Sequence, residues 1–164
     1  MKTFEKILIS GIAGTMVMTH YLKRHSTKRQ ENVPPVLLNK SIDQSPGLPE
    51  IHNKKSNPAG WLLHYATGAG FVAGYRVLAK RFLNHPTVMS IAAAGILNGA
   101  LGVIVWKTLF KIHPSPPQNN RPIYFQHLFT AHIVFTGIAL VTYKLLGKST
   151  KAVKRRASMP DSIL

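Results

Sequence analysis

Four long apolar stretches alternate with polar, charged segments, and this block pattern dominates the chain. Charged residues thin out across residues 7–22, 59–78, 88–106 and 123–146 and crowd the segments between them. A hydrocarbon core of about 30 Å needs roughly 20 apolar residues in a helix. The blocks therefore predict an all-α fold, an integral membrane bundle of four transmembrane helices in one domain over residues 1–147. A basic tail over 148–164 is expected to be disordered.

The spans differ in strength. Residues 7–22 (ILISGIAGTMVMTHYL) are short for a bilayer and follow Lys2 and Lys6, as the apolar region of a signal peptide would. No A-x-A-like cleavage site follows, so an uncleaved helix or signal anchor is expected. Asn57-Pro58-Ala59 offers a cap and a first-turn proline for the second span, with Trp61 and Tyr75 expected at its interfaces. The third span, 88–106, carries no charge and ends at Lys107 and Lys111; the fourth ends near Lys144. Pro34-Pro35, Pro46-Gly47, Pro49 and Asn57-Pro58 predict a long extramembrane loop over 23–58. Its apolar patch at Val36 to Leu38 would lie on the membrane surface or pack against the bundle.

Between transmembrane helices, small residues at helical spacing mark close contact. Gly11 and Gly14 in span one, Gly70 and Gly74 in span two, and Gly95, Gly99 and Gly102 in span three supply such grooves, with Asn98 as an interhelical hydrogen-bonding group. The grooves are expected to pack within one bundle, a homo-oligomer through a GxxxG face being the alternative. Spans two and four also match at an offset of 68 residues, pairing His64 with His132 and Tyr75 with Tyr143, as a parallel repeat of two helical hairpins would.

Charge adds a partner. The net charge of +16 fits nucleic acid in principle, but the basic residues flank the spans, where they meet anionic lipid headgroups at about 1 kcal/mol each. A lipid bilayer is the expected partner, and no nucleic acid. With four spans, the two termini and the second connector carry 11 Lys and Arg against 10 on the other side. Discounting the long first loop favours both termini in the cytoplasm.

Candidate chemistry is sparse. The chain has no cysteine, which excludes disulfides, Cys-based zinc sites and thiol catalysis. All five acids lie outside the spans, so paired-carboxylate catalysis and the usual intramembrane proton relay are unsupported, and the reading leans away from an enzyme. His64 and His132 each precede a tyrosine by 11 residues, about 16.5 Å along a helix, and could sit at equal depth as ligands of a b-type haem. His20, His64 and His127, joined by His113, form a second candidate, a metal site near one membrane face. Hydrogen bonding of these histidines to neighbouring groups, with no cofactor, is the expected state.

GIAGTMVMT in span one, Pro34-Pro35 in the loop and HYATGAGFVAGY in span two together resemble the YagU-like group of small bacterial inner-membrane proteins, whose biochemical role is unassigned. The resemblance covers the first half of the chain. It implies a multi-pass protein of the bacterial inner membrane and carries over no catalytic residue. Three functions follow: a structural or accessory bundle first, then a haem or metal carrier, then a small-solute permease lined by Thr67, Asn98, Thr130 and Thr136.

Overall fold

The computed structural model describes residues 1–25, 33–48, 50–113, 116 and 120–157, with side chains to 150. Their regular structure is helical, with no strand among them: α1 (Thr3–His25), α2 (Pro34–Asp43), α3 (Pro58–Leu78), α4 (Lys80–Asn84), α5 (Val88–Ile112) and α6 (Arg121–Ala157). α5 and α6 are long and apolar enough to cross a membrane. Only 28% of the most apolar stretch of α5 is buried inside the protein, so most of its apolar surface faces outward.

Helix starts follow local chemistry. Asn57 accepts from the Ala59 N–H at 2.9 Å, with Pro58 in the first turn of α3, the arrangement the sequence predicts. Thr87 and Ser90 form a reciprocal capping box at the start of α5, Thr87 Oγ1 accepting from Ser90 N at 3.1 Å and Ser90 Oγ from Thr87 N at 2.8 Å.

The helices form an open bundle. α6 packs along both α1 and α5; α1 carries α3 on its other side; α4 lies against α6. A seam remains between α3 and α5. The core runs through Leu22, Val72, Leu128, Phe135 and Leu140, and an aromatic cluster of Trp106, Phe110 and Tyr124 joins the C-terminal part of α5 to the start of α6.

Two expectations about the connectors are corrected. Pro34 and Pro35 do not break helix; they occupy the first turn of α2, where proline lacks only an N–H that the helix leaves unpaired. Val33, Val36 and Leu37 are fully buried, so this stretch packs against the bundle, with α3 as its main helical neighbour. Asn39 fastens it: its Nδ2 donates to the carbonyls of Lys54 and Asn57 at 2.9 and 3.0 Å, and its Oδ1 accepts from Gly60 N at 2.7 Å. A side chain at Gly60 would run into the Pro35 carbonyl and Asn39, so α2 can come this close only to glycine. The basic tail is also helical as far as Ala157, where disorder was expected, because Ala, Lys and Arg are good helix formers and extend α6. The rest of that tail, Pro49 and most of the proline-rich turn after His113 lie outside the described residues.

The interfacial position expected for Tyr75 is corrected as well, and its repeat partner Tyr143 behaves alike. Tyr143 is buried at 6% exposure, and the Tyr75 hydroxyl turns inward to Thr136 Oγ1 at 3.2 Å. A partner within the bundle competes with the headgroup region for a phenol.

Candidate functional site

Glycines and threonines set how closely the helices approach, and this spacing creates two cavities on either side of Phe71. Gly11 lies against the backbone of α3: an added Cβ would stand 2.6 Å from Ala69 Cα. Gly14 faces Phe135, Gly95 faces Ile133, Gly99 faces Phe129 and Gly102 faces His132. Five of the predicted packing glycines are thus in contact inside the chain. Gly70 and Gly74 are not: among the described residues nothing lies within 4 Å of a Cβ built at either. Their GxxxG face opens onto the seam, because α5 packs on α6 instead of closing on α3.

The first cavity, about 220 Å³ and partly open, lies between α1, α2, α3, α5 and α6 and is lined by Thr15, Met18, His64, Phe71, Trp106 and His132 among others. Both histidines are 7% exposed. The Thr19 hydroxyl donates to the Thr15 carbonyl at 2.7 Å, so at 2.9 Å from His64 Nε2 it accepts the ring proton. His64, as a neutral ring, then carries its lone pair on Nδ1. His132 Nδ1 donates to the Leu128 carbonyl at 2.8 Å, leaving the lone pair on Nε2. Gly102 meets the face of this second ring: an added Cβ would lie 2.5, 2.7 and 3.1 Å from Cε1, Nε2 and Nδ1. Phe71 meets the same ring at right angles, with centroids 6.0 Å apart.

His64 and His132 do line one cavity, whose volume of about 220 Å³ is below the roughly 300–1,000 Å³ of pockets that enclose drug-sized ligands. The metal set His20, His64 and His127 is not assembled: His20 is on the outer surface beside Lys23 and Trp61, while His64 turns inward to Thr19. No group of three or more His, Cys, Asp or Glu able to hold a metal occurs among the described residues. His113 is engaged elsewhere, with Ser41 and Ser45.

The second cavity, about 600 Å³, fills the seam and is lined by Gly70, Phe71, Gly74, Tyr75, Leu97 and Asn98 among others. Asn98 links α5 to α6 as the sequence suggests, its Nδ2 donating to Thr136 Oγ1 at 3.3 Å. Thr136 donates its own proton to the His132 carbonyl at 2.8 Å, so Tyr75 must donate to Thr136. Asn98 Oδ1 is left buried without a partner. Of the residues considered for a permeation path, Thr67 and Thr130 hydrogen-bond back to their own helices, through the carbonyls of Leu63 and Gln126.

Sequence reasoning missed Thr19 and Met18. The signal for the former was the Thr15/Thr19 pair one helical turn apart in span one, which places a hydroxyl where it can fix an imidazole. No protein-family model, curated protein or solved structure matches the chain.

Proposed function

We propose that the protein is a four-span integral membrane protein of the bacterial inner membrane, akin to the YagU-like group, with both termini cytoplasmic. In this reading α1, α3, α5 and α6 cross the bilayer and the chain serves as a non-enzymatic accessory bundle that associates through the α3/α5 seam with a second copy of itself. The carrying observation is that no described residue lies within 4 Å of a Cβ built at Gly70 or Gly74, whereas the other predicted packing glycines are in contact inside the chain. Small residues let helix backbones approach closely in lipid, so an unfilled GxxxG face suits another transmembrane helix. The buried, unpartnered Asn98 Oδ1 lies on a residue lining the same seam.

Further support comes from the outer faces. Ile9, Ile12 and Met16 of α1, Leu62 and Val77 of α3, and Ile96 and Ile104 of α5 are all exposed, which is a large apolar surface for water and an ordinary one for lipid. Anionic headgroups would then meet the flanking lysines and arginines.

Because the chain has no cysteine, single Gly70→Cys and Gly74→Cys variants report on this face without background. Oxidation in native membranes is expected to yield a disulfide-linked dimer at these positions and none at Ile12→Cys, on the outward face of α1. Equal crosslinking at all three, or none at 70 and 74, would overturn the proposed association.

A further inference from the structure

The cavity between α1, α3, α5 and α6 brings together more than two histidines. Met18 is 4% exposed and lines it with His64 and His132, so one residue from each of three helices faces a single small space. Each imidazole has one nitrogen committed to the protein, His64 Nε2 to Thr19 and His132 Nδ1 to Leu128. These bonds fix the tautomers and leave His64 Nδ1 and His132 Nε2 as lone-pair donors with no hydrogen-bond partner among the described residues. A hydrogen bond from one ring nitrogen to a hydroxyl or carbonyl orients an imidazole whose other nitrogen binds a metal. Gly102 covers the face of the His132 ring and not its edge, where the lone pair lies in the ring plane. Thr15 Oγ1, on a residue 1% exposed that lines the same cavity, also has no partner.

We propose that Met18, His64 and His132 form a site for a monovalent soft metal ion, Cu(I). The ligand set selects the ion. It contains no carboxylate or thiolate, so the metal's own charge stays uncompensated in a buried space. The desolvation cost of an ion rises as the square of its charge, so a divalent ion is penalised about four times as heavily as a monovalent one. A thioether is a soft ligand that favours Cu(I), and imidazole serves copper equally well. Two nitrogens and one sulfur complete a three-coordinate set for this ion without help from solvent. The inference rests on the packing of α1, α3 and α6 and is independent of association through the seam.

The test uses the full-length protein in mild detergent, titrated with Cu(I) under ascorbate against a chromophoric Cu(I) chelator. About one equivalent per chain is expected. X-ray absorption at the copper edge should show one sulfur and two light scatterers. Met18→Leu, a near-isosteric change that keeps the core filled, is expected to weaken binding about tenfold or more and to remove the sulfur signal. His64→Gln and His132→Gln should abolish the site, with helical circular dichroism reporting whether each variant has folded. His20→Gln and His127→Gln should bind as the parent does. Absence of Cu(I) uptake by the parent, or uptake unchanged in Met18→Leu with no sulfur scatterer, would overturn the proposal.

Discussion

The Nε2 of His113, just past the end of α5, lies 2.9 Å from the carbonyl oxygen of Ser41, near the end of α2. Ser45 Oγ lies 3.1 Å from the same nitrogen. These contacts hold the first and third connectors together at one end of the bundle, while α4, in the second connector, packs on α6. A chain threading up and down four times would bring its first and third connectors to one end in this way. A Ser45→Cys/His113→Cys double variant should therefore be joined internally by a bifunctional thiol crosslinker of about 8 Å span, longer than a disulfide because the imidazole reach is lost, and read as a mobility shift that neither single variant shows. No shift with such a crosslinker would place the connectors apart.

Asn39 makes three hydrogen bonds from a fully buried side chain. At about 0.5–1.5 kcal/mol each, Asn39→Ala should cost roughly 1.5–4.5 kcal/mol and release α2 from α3. Thermal melts in detergent, with limited proteolysis within 33–57, measure this; unchanged melting and cleavage would show that Asn39 does not hold the connector.

Asp43 gives the connector a pH dependence. A hydrogen bond with Lys54, whose Nζ is 2.7 Å away, and then the Ile51 N–H at 2.9 Å hold its carboxyl below the ordinary 3.8. A depressed acid stabilises the folded form above its unfolded value, and that contribution is lost as pH falls through the depressed one. Proteolytic protection of the connector should stay constant from neutral pH down to about pH 5 and fall below about pH 4. The same contribution should be missing at every pH in Asp43→Asn, and a parent profile matching this variant's would remove Asp43 as the cause.

The glycines divide into two groups with opposite expected responses. Gly99→Val sets side-chain atoms against Phe129, where even a Cβ would stand 2.8 Å from the ring, and overpacking of this kind costs about 1–3 kcal/mol. A Cβ at position 74 meets no described residue within 4 Å, so the Gly74→Val monomer should melt as the parent does while the proposed dimer is lost. Melting temperature and crosslinked fraction, measured on both variants, separate the two; a Gly74→Val monomer destabilised as much as Gly99→Val would contradict the open seam.

Much of the helical frame was legible in the block pattern, since long uncharged runs have few alternatives to helix, and Asn57-Pro58 carries its cap in the sequence. α2 was not, because Pro34-Pro35 starts a helix as readily as it ends one, and burial of Val33, Val36 and Leu37 decided the matter. GxxxG spacing shows that a helix has a groove, not which chain fills it; Gly70 and Gly99 read alike and lie in opposite environments. The offset of His64 and His132 brought both to one cavity, but its size and the Met18 thioether depend on how α1 lies beside α3 and α6, which no local pattern encodes.

The central claim, that α1, α3, α5 and α6 all cross the bilayer, is tested most directly by cysteine accessibility. Ser45→Cys, Asn84→Cys, Asn120→Cys and Ser149→Cys variants would be labelled with a membrane-impermeant maleimide before and after permeabilising whole cells. Four crossings with cytoplasmic termini predict that positions 45 and 120 react in intact cells and that 84 and 149 react only after permeabilisation. Labelling of 45 and 84 from the same side, or release of the protein from membranes by alkaline carbonate, would contradict it.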